Sequence, residues 1–82
     1  MRIYRIDRKE EGVAEVQRYL RAAAYRHASL PFVGIDGIYG EETEAAVRAF
    51  QEMFSLTVTG EVDQKTFDRL YEESLPSSER RQ

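Results

Sequence analysis

Carboxylates, one histidine and a scatter of arginines and tyrosines are the residues of this 82-residue chain whose chemistry could be put to use. Glu41, Glu42 and Glu44 could supply a general acid and base. They stand where a helix begins, however, and acidic residues there are favoured by the unpaired backbone N–H groups of the first turn. Nothing nearby gives any of them a reason for a raised pKa. His27 would have to serve any nucleophile–histidine–carboxylate set, yet it falls in a loop with no apparent partner spacing, and a solvated ring is expected. The arginines Arg18, Arg21 and Arg48 and the tyrosines Tyr19, Tyr25 and Tyr39 suit recognition better than catalysis. A guanidinium binds carboxylates through two N–H groups, and a tyrosine pairs an apolar face with a polar tip. There is no catalytic constellation. With no cysteine and one histidine, no thiolate or histidine-rich metal site can be built, and no metal or other cofactor is expected.

The formal charge of −3 argues against nucleic acid, whose binding draws most of its affinity from a basic face. The basic residues cluster, with Arg2, Arg5, Arg8 and Lys9 at the start and Arg18, Arg21 and Arg26 on the segment that follows. No apolar run approaches the ~18 residues of a membrane span. Met1 to Glu11 carries arginines without an apolar stretch and does not read as a signal peptide. The chain is therefore expected either to stay where it is made or to be a piece of a longer exported protein.

The elements that would position these groups are three helices. Val13, Val16, Leu20 and Ala23 share one face of a helix over 13–25, with Arg18 and Arg21 on the other side. A second helix is expected over 41–54 with Ala46, Val47, Phe50 and Phe54 inward, and a third over 64–73 with Phe67, Leu70 and Tyr71 inward. Pro31 excludes helix through Leu30. Leu30, Phe32, Val33, Ile35 and Ile38 are too apolar for a free loop and are expected to lie as a lid across the core. Residues 1–11, which include a possible short strand at 2–7, read as an arm or linker. Residues 12–75 read as the domain, and 76–82 as a disordered polar tail.

Two internal echoes organise the chain. Asp36-Gly37-Ile38-Tyr39-Gly40-Glu41-Glu42-Thr43 returns as Gly60-Glu61-Val62-Asp63-Gln64-Lys65-Thr66, so that Gly37 matches Gly60, Gly40 matches Asp63 and Thr43 matches Thr66. Each copy is a glycine turn, an apolar residue, a helix-capping residue and a threonine able to return a hydrogen bond toward the cap. Val13-Ala14-Glu15-Val16-Gln17 is likewise echoed by Val47-Arg48-Ala49-Phe50-Gln51. Both Gln17 and Gln51 are placed at the margin of a buried stripe, where a carboxamide can bond to loop backbone that the helix covers.

This ordered set resembles the three-helix peptidoglycan-binding domain of bacterial cell-wall hydrolases. The residues that carry the likeness are Val13, Val16, Gln17 and Leu20, then Asp36, Gly37, Tyr39, Gly40, Thr43, Ala46, Val47, Phe50 and Gln51, then Leu56, Val58, Thr59, Gly60, Val62, Asp63, Thr66, Phe67 and Leu70. The likeness covers Gly12 to about Tyr71. It implies an all-α fold, a small three-helix orthogonal bundle with an internal pseudo-repeat. It also implies a non-catalytic module that binds peptidoglycan or muropeptides at the cell wall, attached to a catalytic domain in a longer exported chain. Three departures stand out: Ala23-Ala24-Tyr25 where the family often has Leu-Gly-Tyr, a longer loop at 26–34, and Ser55 where a glycine is usual. Ser55 either takes the left-handed conformation of a helix stop, or the second helix ends differently.

On this reading the expected ligand contacts are Asp36, Tyr39, Arg48, Arg18 and Tyr25, around a shallow groove between the long loop and the first two helices. Asp36 has a competing role within its own turn, which is favoured, and Tyr39 a competing role in packing. Gly37, Gly40, Thr43, Gln17, Gln51, Gly60, Asp63 and Thr66 are expected to be structural. The rival readings are a protein–protein docking module on the same scaffold and a small DNA-binding domain. The latter would read DNA with only Lys65 and Arg69, opposed by Glu72 and Glu73.

Overall fold

The computed structural model describes residues 11–76, which form three helices and no strand: α1 (Glu11–Arg26), α2 (Glu41–Met53) and α3 (Gln64–Ser74). Each helix starts and stops within two residues of its expected bounds. Residues 1–10 of the arm, with the possible strand at 2–7, lie outside the described residues, as does the tail from residue 77 onward, whereas Glu11, also read as arm, opens α1.

The apolar stripes meet in one core. Val16, Leu20 and Ala23 of α1, Ala46, Val47 and Phe50 of α2, and Phe67 and Leu70 of α3 form a single buried cluster with Ala24, Leu30, Val33 and Val62. Helices of this length are marginal alone, and each such side chain contributes roughly 1.5–3 kcal/mol on burial, so the shared core is what makes them helices at all. α1 packs mainly on α3. Tyr19 stands between them, its ring 5.8 Å from those of both Phe67 and Tyr71. Phe54 and Tyr71 are half-buried at the edges of the stripes rather than at their centres.

The lid forms only in part. Leu30 and Val33 enter the core, but Phe32, Ile35 and Ile38 remain 52%, 44% and 66% exposed. Burial skips the two residues between Leu30 and Val33, Pro31 and Phe32, which are exposed. His27 also departs from expectation. Its ring is half-buried, edge-on to Phe54 at 5.4 Å, with Nε2 3.4 Å from Glu73 Oε1. Glu73 is itself buried and meets Arg69 at 3.3 Å from its other oxygen. The partner of His27 lies on α3, too distant in sequence for any local pattern to show. The Arg26 guanidinium reinforces this tie by donating to the Leu75 carbonyl at 2.6 Å.

The end of α2 settles the role of Ser55. Leu56 N–H reaches back to Gln51 O at 2.8 Å and Ser55 N–H to Glu52 O at 3.3 Å, while Ser55 itself sits at φ 61°. This is a Schellman stop with a serine in the left-handed position, and Leu56 folds back against the core as that motif favours. An L-residue costs about 1–2 kcal/mol there, offset in part by the greater freedom a glycine loses on folding. Ser55→Gly is therefore expected to stabilise the domain by about 0.5–1 kcal/mol, raising Tm by a few degrees in a thermal melt. An unchanged or lower Tm would show that the serine is not strained.

Candidate functional site

The two echoed segments become two copies of one device, each built around a buried glutamine. Gln17, on α1, accepts at Oε1 from the N–H groups of Asp36 at 3.0 Å and Gly37 at 2.9 Å. Its Nε2 faces Asp36 Oδ1 at 3.0 Å, Ile38 O at 3.1 Å and Thr43 Oγ1 at 3.0 Å. Gln51, on α2, repeats the pattern. Its Oε1 accepts from Thr59 N at 2.9 Å and Gly60 N at 3.0 Å. Its Nε2 faces Thr59 Oγ1 at 3.3 Å, Glu61 O at 2.9 Å and Thr66 Oγ1 at 3.1 Å. Asp36 thus corresponds to Thr59, a pairing that the amino-acid types conceal. Each also bonds forward within its own turn, Asp36 Oδ1 accepting from Ile38 N at 2.9 Å and Thr59 Oγ1 from Glu61 N at 3.1 Å.

Both turns need glycine at the point of contact, with Gly37 at φ 77° and Gly60 at φ 81°. At Gly60 there is no room either, since a Cβ would stand 2.9 Å from Arg48 Nε and 3.0 Å from Glu44 Cγ. The helices then start differently. Asp63 caps α3 by accepting from Thr66 N at 2.8 Å, whereas Gly40 opens α2 with no side-chain cap and three acidic residues in the first turn. The hydroxyls of Thr43 and Thr66 accept from the glutamines, and each also reaches back toward the turn before its helix, Thr43 at 3.4 Å from Ile38 O and Thr66 to the Asp63 carboxylate.

The expected ligand residues differ in how far the fold engages them. The Asp36 carboxylate is engaged by Gln17 and its own turn. Tyr39 donates its hydroxyl to Gly60 O at 2.6 Å, linking the two turns. Arg48 pairs with Glu44 at 2.7 Å and lies against Gly60, so Tyr39 and Arg48 share a neighbour. Arg18 and Tyr25 are exposed on α1. Tyr25 is 71% exposed, and its ring meets Phe32 edge-on at 5.1 Å. Phe32 in turn lies 5.4 Å from the Arg21 guanidinium. Phe32, assigned to the lid, belongs to this surface. The signal that could have exposed it is the spacing of Arg18, Arg21 and Tyr25, one turn apart along a single face of the helix. Among the described residues no cluster of three or more potential metal ligands occurs.

The family model described as "Putative peptidoglycan binding domain" matches residues 9–70. The chain belongs to the peptidoglycan-binding domain family. No curated protein and no solved structure matches it. Seen through that membership, the peptidoglycan-binding motif residues Gln17, Gly37, Thr43, Gln51, Gly60 and Thr66 are the parts of the paired clamps.

Removing a clamp strands several polar groups at once, each worth about 1–3 kcal/mol when buried and unpaired. Gln51→Leu and Gln17→Leu, which keep the approximate volume, are each expected to cost about 3 kcal/mol or more in urea unfolding. A loss below about 1 kcal/mol would show that water replaces the carboxamide without penalty. Acid should also weaken the fold. The Asp63 carboxyl is held below its ordinary range by the Thr66 backbone N–H and then by the Thr66 side chain. Asp36 is held low by the Ile38 N–H and then by Gln17. A carboxylate with a depressed folded pKa contributes stability that is complete above its unfolded value of about 4 and is lost as pH falls through the folded value. Tm is expected to drop as pH is lowered below about 4, and Asp63→Asn, whose amide oxygen still caps without titrating, should flatten that drop.

Proposed function

We propose that residues 12–75 act as a non-catalytic module that binds peptidoglycan and holds an attached domain, such as a hydrolase, at the cell wall, within a longer exported chain. The observation that carries this reading is the family match over residues 9–70, on a chain whose described residues place the motif in the two clamped turns. The clamps make a rigid base, and rigidity suits a weak binder because little ordering entropy is lost on contact. Weak binding suffices for anchoring. A linked domain sees a local ligand concentration on the order of mM, so a Kd far above nanomolar still localises it.

Among the five candidate contacts, Arg18 and Tyr25 are the pair we assign to ligand, because their side chains are open to solvent. Asp36, Tyr39 and Arg48 have internal partners that ligand would have to displace. No helix among the described residues is long and apolar enough to cross a membrane. The Arg69–Glu73 ion pair, with Arg69 4.5 Å from the Phe54 ring, occupies a cation that a DNA-reading helix would need free.

Incubation with purified insoluble peptidoglycan, followed by centrifugation, is the direct test. The folded 82-residue chain is expected in the pellet, and increasing amounts of soluble muropeptide should return it to the supernatant. A folded chain left wholly in the supernatant would overturn the assignment.

A further inference from the structure

The surface formed by Arg18, Arg21, Tyr25 and Phe32 has a composition that no structural role consumes. Arg18 has no hydrogen bond, ion pair or ring contact among the described residues. Arg21 is half-buried, and its only hydrogen bond among the described residues is a long one, from Nη1 to the Val33 carbonyl at 3.4 Å. Its Nε is enclosed and has no acceptor. With Nε enclosed, the donors left to meet an anion are the Nη N–H groups beyond the one spent on Val33, and the group is held in place by the Phe32 ring and the Val33 carbonyl. A donor fork fixed in this way loses little freedom when it pairs with an anion.

Beside it stand two rings that are both more than half exposed and packed on each other, Tyr25 at 71% and Phe32 at 52%. Exposed aromatic side chains in mutual contact, next to an underused guanidinium, form an apolar shelf with a cationic edge. Ordinary folding energetics would sooner bury the rings and pair the arginine. The surrounding composition narrows the ligand further. A chain of net charge −3 is ill-suited to a polyanion, whose affinity comes from many simultaneous phosphate contacts. A planar monoanion joined to small apolar groups matches both halves of the surface, because a carboxylate meets a guanidinium through two parallel hydrogen bonds.

We propose that this surface is a carboxylate-recognition site for the stem peptide of peptidoglycan, with Arg21 as the anchor, Arg18 as a second cation one turn away, and Tyr25 and Phe32 as the shelf for the peptide's apolar part. This rests on the peptidoglycan-binding reading and specifies which portion of the polymer is gripped. The uncharged sugar is secondary to the peptide, and the engaged residues Asp36, Tyr39 and Arg48 are not the anchor.

The test is an amide-resolved NMR titration of the full chain with three probes: a disaccharide–peptide muropeptide with free carboxylates, the same muropeptide with its carboxylates amidated, and an uncharged N-acetylglucosamine disaccharide. The first is expected to shift amides over residues 18–25 and 31–34, and amidation to weaken binding by about tenfold, the loss of one charge-assisted pair. The uncharged disaccharide should leave those amides unmoved. Arg21→Gln and, separately, Phe32→Ala should each weaken the free-carboxylate muropeptide by a similar factor, with Lys65→Gln as a charge-matched control and circular dichroism confirming the fold. Equal affinity for the free and amidated forms would overturn the carboxylate anchor. Shifts centred on Asp36, Tyr39 or Arg48 would overturn the location. If Arg21→Gln and Phe32→Ala stay folded and sediment with insoluble peptidoglycan like the wild type, this site fails while wall binding stands. If the wild type neither sediments nor shifts with any probe, both fail together.

Discussion

A tight turn buried beneath a helix presents inward-facing N–H groups and a carbonyl together, and each must find a partner. Among uncharged side chains only a carboxamide offers a strong acceptor and two donors at one tip. Gln17 and Gln51 meet this requirement for the two glycine turns, and neither brings the desolvation cost of an ion into the core. Much else follows from that placement. Each turn ends at the start of a helix, so a fixed turn fixes the direction in which α2 or α3 sets out. The apolar stripes then meet in one cluster rather than on separate surfaces. A carboxylate at either position would lack the donors, and a methionine would lack nearly everything.

This arrangement divides the polar residues into those that hold the fold and those left over. The clamps absorb Asp36, Thr43, Thr59 and Thr66, while Tyr39 and Arg48 are taken up at Gly60. His27 and Arg69 are taken up at Glu73. The conspicuous remainder is the stretch of α1 and the following loop where arginines and aromatic rings face outward. A small domain with few side chains to spare separates scaffold from surface in this way. The binding proposal draws on that remainder rather than on the motif.

The helices, the core and the clamps were legible in the sequence because each rests on short-range pattern. Helical spacing marked Val13, Val16, Leu20 and Ala23, the echoed helix segment marked both glutamines, and the repeated turn marked both threonines. What could not be read depended on distant partners or on chain direction. Glu73 draws His27 out of solvent from across the bundle. The path of the loop left Phe32, Ile35 and Ile38 exposed, although their hydrophobicity alone suggested burial. The engagement of the candidate site residues was the part least visible in the sequence. Residues were chosen for their chemistry, yet whether Tyr39 or Arg48 is free depends on a neighbour, Gly60, supplied by the second turn. The equivalence of Asp36 and Thr59 was hidden because two different side chains perform the same bond.

The Tyr39 hydroxyl, bonded to the Gly60 carbonyl, joins the first clamp to the second. Gln51, which holds Gly60, lies on the helix that the first clamp launches. Loosening either turn therefore withdraws support from the other, and partial opening loses much of what complete opening loses. A molecule wired in this way has few frayed intermediates to offer a protease.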